Sequence, residues 1–295
     1  MQELNFHTLD VFTDTPFSGN PLAVFTDAAE LPTALMQQIA RELNLSETVF
    51  VGPAMAGNRF NTRIFTPGGE IPFAGHPTIG TALLLSQLGL LAPDQSDTLV
   101  LEQRVGPVRV QIETTESGTV ARLRTATLPE ISTSTLSRDE AAVMIGLQPE
   151  QLVADPVIAS CGLPFQLLQV RDLAALGQAA LDLTHWRRLL GAGSVSNLYC
   201  FALLEDAGQV RARMFDPANN IPEDPATGSA AAALAGYLAV KAATPGTHRL
   251  RIEQGIEMGR ASLIVTRVEM GATGPEAVFV EGQARRISAG HFLLD

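Results

Sequence analysis

Four polar residues stand where chemistry would need them. Glu47, in Asn-Leu-Ser-Glu-Thr-Val-Phe, lies at a helix-to-strand junction between apolar runs, where burial raises a carboxyl pKa and suits it to proton transfer. His76 precedes Pro77, and Asp224 precedes Pro225, in two similarly worded proline-rich loops. Ser229 belongs to the small-residue turn Thr227-Gly228-Ser229, which opens an apolar segment. A helix start offers unpaired N–H groups and a positive dipole end, so such a turn suits a carboxylate ligand. Each residue also has a plainer use. Glu47 can be an exposed turn carboxylate or cap, His76 a hydrogen-bonded structural imidazole, and Glu223 a solvated neighbour of Asp224. A hydrolase triad of Ser229, His76 and Asp224 fails on spacing: no Gly-x-Ser-x-Gly surrounds the serine, and Asp224 precedes it by five residues in the same turn. Cys161 and Cys200 sit in apolar strand-like segments and read as core thiols.

The elements that must position these groups repeat. At an offset of 150, Ser46 falls on Ser196, Arg63 on Arg213, Phe65 on Phe215, Pro67 on Pro217, Ile71 on Ile221 and Pro72 on Pro222; at 148, Pro77 falls on Pro225, Gly80 on Gly228, Thr81 on Ser229 and Ala82 on Ala230. Each copy reads strand, Pro-rich loop, small-residue turn and apolar helix. The framework matches while the ionisable positions differ, as in a duplicated scaffold with divided roles. Alternating β-branched runs predict strands at 4–12, 22–25, 48–51, 59–65, 98–102, 108–113 and 119–124, then near 152–159, 164–170, 198–204, 209–215, 248–254, 261–268, 276–281 and 285–289. Helices are predicted at 33–43, 78–90 and about 227–241, with a capping box at Ser137–Glu140 opening a short one. The Ser/Thr-rich stretch 125–137 is the softest boundary.

Composition narrows the function. The 295 residues carry a formal net charge of −11, which repels phosphate backbones and disfavours a nucleic-acid partner. Nineteen of the 20 basic residues are Arg and only Lys241 is Lys, so no Walker-type phosphate loop exists and a Schiff-base lysine has little scope. Two cysteines and five scattered histidines give no readable disulfide scaffold or metal site, and no metal is called. The first residues lack a basic start and apolar run, and Ala230–Val240 is about half of the ~20 residues a bilayer needs. The expectation is a soluble protein of a reducing compartment, cytoplasmic, with no membrane partner.

Asp10-Val-Phe…Gly19-Asn20-Pro21, Asn44–Phe50, Phe65-Thr-Pro…Glu70-Ile-Pro-Phe-Ala-Gly-His-Pro77, Glu223-Asp-Pro-Ala-Thr-Gly-Ser-Ala230 and Gln254–Arg260 resemble the phenazine-biosynthesis PhzF family over essentially the full length. The resemblance implies an α+β fold of the diaminopimelate epimerase type. Two pseudo-symmetric domains each bend a β-sheet around a central apolar helix, with the active site in the cleft between them. Expected boundaries are 1–120 joined by the strand at about 282–295, and 121–281. It implies isomerase activity without cofactor on a small carboxylate substrate such as trans-2,3-dihydro-3-hydroxyanthranilate. Glu47 would be the acid/base, His76 and Asp224 would orient substrate and assist proton movement, and Gly75, Thr227, Gly228 and Ser229 would hold its polar groups. Related epimerases and racemases use paired cysteines at the two matched turns, and this chain has none there. The resemblance further suggests a homodimer and domain closure during catalysis. Another amino-acid-like substrate, or a non-catalytic small-acid binder on the same scaffold, remain the alternatives.

Overall fold

The computed structural model describes residues 2–28, 31–92, 97–116, 118–191, 195–219 and 221–294. The chain divides into two compact units, Met1–Arg124 with Glu281–Asp295, and Thr125–Val280.

In the first unit, β1 (Gln2–Val11), β2 (Asn20–Phe25), β3 (Glu47–Met55), β4 (Arg59–Phe65), β6 (Thr98–Gln103), β7 (Gly106–Thr115) and β8 (Gly118–Arg124) form one sheet with β18 (Ala284–Leu294). The order is β18-β1-β2-β3-β4-β6-β7-β8, and β5 (Glu70–Ile71) pairs beside β4. The β2–β3 and β4–β6 pairs are parallel, so a helix must cross over between each. These are α1 (Thr33–Leu43) and α2 (Gly75–Gln87). They serve opposite purposes. α1 buries only the stripe Met36, Ile39 and Ala40, which packs with Phe25, Phe50 and Phe65. α2 is buried on every side from His76 to Leu85 and touches β1, β2, β3, β6, β7, β8 and β18, so the sheet wraps around it. Such a helix tolerates no charge, which is why its sequence carries none. Gly80 is where it comes closest: a Cβ there would lie 2.7 Å from Leu22 and from Val11.

The second unit repeats the plan. β9 (Glu130–Thr133), β10 (Val157–Ser160), β11 (Pro164–Gln169), β12 (Leu198–Leu203), β13 (Gln209–Asp216), β15 (Gly246–Gln254) and β16 (Ser262–Gly271) lie in that order, with β11–β12 and β13–β15 parallel and β14 (Ile221–Asp224) beside β13. The central helix is α6 (Gly228–Ala242), buried at Gly228, at Ala230 to Gly236 and at Ala239. The crossover that α1 makes alone is here made between β11 and β12 by α4 (Leu173–Gln178) and α5 (Leu183–Leu189), and α3 (Arg138–Met144), which precedes β10, packs with them around Trp186 and Met144. The capping box forms as predicted: the Glu140 N–H donates to Ser137 Oγ and the Ser137 N–H to Glu140 Oε2.

Strands outnumber helices and the α+β class expected from sequence holds. Three readings change. α2 begins at Gly75 rather than Thr78, which places His76 and Pro77 inside its first turn, where proline costs no hydrogen bond. The segment predicted as a strand from 152 is paired regularly only over Val157–Ser160, with an isolated bridge at Leu152. The short elements α4, α5, β5, β9 and β14 have too few residues to show a period.

Candidate active site

In the first unit, Glu47 and His76 are brought together by the start of β2. α1 ends with Asn44 in the left-handed conformation (φ 50°), its N–H donating to the Ala40 carbonyl, and the chain turns directly into β3. Glu47 is the first residue of β3 and pairs in register with Leu22 of β2. One residue earlier on β2, the Pro21 backbone is hydrogen-bonded to the His76 ring. The two side chains meet with His76 Nε2 3.5 Å from Glu47 Oε2. His76 is 5% exposed, and burial lowers its pKa from 6.5 to about 3 despite the Pro21 bond. The ring is therefore neutral at physiological pH, and the contact is not an ion pair. Proline has no N–H, so the ring must donate its single proton to the Pro21 carbonyl. Nε2 is left as an acceptor, buried and facing the Glu47 carboxyl oxygen. Nε2 can therefore accept a hydrogen bond from Glu47 whenever that carboxyl group carries a proton.

In the second unit, Asp224 closes β14 and is 8% exposed. The Thr227 hydroxyl donates to Asp224 Oδ2. Gly255 takes φ +76° and brings backbone so near that a Cβ would meet the Pro225 carbonyl at 2.7 Å, fixing the loop before α6. Gly228 is buried and Ser229 half-buried in the first turn of α6. Gly75 holds the equivalent place in α2. Neither Ala74 nor Thr227, at the two cap positions, makes a side-chain capping bond, so the first-turn amides are left to solvent or to an anion. The two starts are not placed alike: Pro77 lies inside α2, whereas Pro225 precedes α6 by three residues. His76 consequently rides on a helix and Asp224 on a strand end.

Glu223 is not the solvated neighbour expected. The Arg213 guanidinium grips it through two bonds of 2.8 Å, as Arg63 grips Glu70 at 2.8 and 2.7 Å, and each guanidinium lies over a phenyl ring, Phe215 or Phe65. Both repeats brace their Pro-rich loops with an Arg–Glu pair, the arginines at matched positions and the glutamates at unmatched ones, and the Arg63/Arg213 and Phe65/Phe215 matches make the arginine half readable. Gln254 and Tyr199, fully buried beside Asp224, were also missed as site residues. Burial, with the Asp224 charge second, pushes the Tyr199 phenol up, so it stays protonated. Burial pushes both cysteine thiols up to about 12, which leaves them inert as nucleophiles.

No helix among the described residues is long and apolar enough to cross a membrane. The family model for phenazine biosynthesis-like proteins matches residues 9–290. An uncharacterized isomerase of Mesorhizobium japonicum is 37% identical, with 100% of both chains covered. A trans-2,3-dihydro-3-hydroxyanthranilate isomerase of Pseudomonas fluorescens is 35% identical over 98% of this chain and 99% of its own. The crystal structure of a PhzF-family phenazine biosynthesis protein from Bacillus anthracis matches at a TM-score of 0.90 and 27% identity, covering both chains fully. Fold, duplicated helix starts and full-length likeness agree: this chain belongs to the phenazine biosynthesis-like family and is an isomerase.

Proposed function

We propose that the protein is a cofactor-independent isomerase that shifts a proton on a small cyclic carboxylic acid such as trans-2,3-dihydro-3-hydroxyanthranilate. The observation that carries this reading is the Glu47–His76 pair, a carboxyl group 3.5 Å from a neutral imidazole nitrogen in a nearly dry setting. A group that removes a proton from one carbon and returns it to another must hold that proton without losing it to water. Glu47 takes the C3 proton and delivers it to C1. Neutral His76 steadies the acid form of Glu47 through Nε2, and does so across the whole physiological range because its own protonation lies near pH 3. Asp224 orients the polar substituents of the ring. Gly75, Gly228 and Ser229 offer the helix-start groups that suit the substrate carboxylate, and Thr227, whose hydroxyl donates to Asp224, supports that residue. The full-length likeness to the Pseudomonas fluorescens enzyme supports the choice of substrate.

The test is isomerisation of trans-2,3-dihydro-3-hydroxyanthranilate in deuterium oxide, followed by NMR. Wild type should convert it without added cofactor and Glu47→Gln should do so at least ~10²-fold more slowly, with binding retained. Normal turnover by Glu47→Gln overturns the base. Tight binding with no isomerisation by wild type would instead mark a binding protein.

A further inference from the structure

The hydrogen bonds behind Asp224 run in one direction only, and two backbone groups impose it. The Gln254 side chain lies between the Asp224 carbonyl, 2.7 Å from Nε2, and the Thr227 N–H, 3.2 Å from Oε1. A carbonyl can only accept and an N–H can only donate, so the amide cannot be turned over. Turned, it would set oxygen against oxygen and N–H against N–H. With that orientation settled, Nε2 donates also to Thr227 Oγ1 at 3.0 Å, and Oε1 accepts from the Tyr199 hydroxyl at 3.1 Å. The Thr227 hydroxyl, already accepting from Gln254, has one proton to give, and it goes to Asp224 Oδ2. Gln254 is fully buried, Tyr199 likewise, and neither touches solvent that could scramble the order.

The first unit carries a similar device without a carboxylate at its end. Gln103 ends β6 as Gln254 ends β15, and its Nε2 donates to Thr78 Oγ1 at 2.8 Å. That hydroxyl passes its proton to the Ala74 carbonyl at 2.7 Å, a backbone group at the start of α2. One chain of donors thus ends on a peptide oxygen and closes a helix. The other ends on an ionisable side chain.

We propose that Gln254 is a positioning residue of this isomerase: acting through the Thr227 hydroxyl, it holds the Asp224 carboxylate in place as a hydrogen-bond acceptor toward substrate. Thr227 then serves the site through Asp224, its hydroxyl proton being committed there. The inference rests on the reading of Asp224 as a substrate-orienting group.

The test compares Thr227→Ser, which keeps the hydroxyl, with Thr227→Val, which keeps the shape, and with Gln254→Met. Thr227→Val and Gln254→Met should lower kcat/KM for trans-2,3-dihydro-3-hydroxyanthranilate about 10- to 100-fold, the value of one hydrogen bond to a charged group, and Thr227→Ser should restore most of it. In an Asp224→Ala background neither substitution should cost anything further, because both act through that side chain. A merely structural role would add its full loss there, and that result, or an unimpaired Thr227→Val, overturns the proposal. If Gln254→Met does not fold, the Thr227 pair carries the comparison. Two readouts stand apart from turnover. The Gln254 side-chain amide protons should both resist solvent exchange in wild type, and one should lose protection in Thr227→Val. Crystal structures of those two proteins should show the Asp224 carboxylate rotated only in the variant. An inactive wild type on this substrate would refute the substrate reading alone, whereas unprotected amide protons or an unmoved Asp224 would refute the relay.

Discussion

The burial of His76 has a consequence that denaturation can measure. Its folded-state pKa of about 3 lies below the ordinary 6.5, so the unfolded chain takes up this proton first as pH falls. The neutral ring's contribution to stability is present above pH 6.5 and is lost progressively between 6.5 and 3, at up to about 1.4 kcal/mol per pH unit. Urea midpoints of wild type and His76→Gln, compared at pH 7.5 and pH 5, should therefore converge toward acid. Equal differences at both pH values would show that the ring is not held neutral by the fold. The same burial explains why the sequence could name Glu47 and His76 separately without joining them. They lie 29 residues apart, and only the parallel register Leu22↔Glu47 together with the Pro21–His76 bond makes them neighbours.

At the scale of elements, the two Arg–Glu braces give a graded prediction. Arg213 has a side chain 9% exposed, and besides Glu223 it donates to the Leu176 and Ala179 carbonyls at 3.0 and 2.6 Å, tying down α4. Arg63 is 32% exposed, with Glu70 and the Thr33 hydroxyl as its partners. Arg213→Met strands a carboxylate and two carbonyls in a buried place and should cost about 3–5 kcal/mol by chemical denaturation. Arg63→Met should cost clearly less, since Arg63 is itself about a third exposed, strands no backbone carbonyl, and leaves Glu70 with Arg104 at 3.6 Å as a second cation. Equal losses would contradict this difference in burial. The helix starts belong to this scale too. Periodicity located α1 to the residue, but it put α2 three residues late, because Gly, His and Pro in a first turn carry no apolar period and the loop is defined by what packs on it.

At the scale of the molecule, the first unit depends on the last residues of the chain. β18 pairs with β1 from Gln2↔Leu294 to Val11↔Ala284, and Phe292 packs against Phe6 and Phe25 with ring centroids 5.4 and 5.5 Å apart. Leu4, Leu9 and Val11 of β1 are 2% exposed or less, so loss of their neighbouring strand opens the core. A chain ending at Val280 should be cut by protease throughout 1–124 while 125–280 persists as a resistant fragment. Resistance of 1–124 in that chain would show the terminal strand to be dispensable.

The sequence by itself determined the duplication and the two mostly apolar central helices, which follow from local periodicity and from matched words at fixed offsets and need no knowledge of what touches what. The α+β class and the choice of Glu47, His76, Asp224 and Ser229 as candidates came from the resemblance of its motifs to a known family. Only the tertiary structure decided that Glu223 is clasped by Arg213 rather than solvated, that His76 is neutral and faces Glu47 through Nε2, and that Gln254 stands behind Asp224. The signal for Gln254 was present, since Gln103 and Gln254 end equivalent strands, but its meaning was not. A glutamine's role is set by the backbone groups it lies between, and those are brought to β15 by the loop before α6, 27 residues away in the chain.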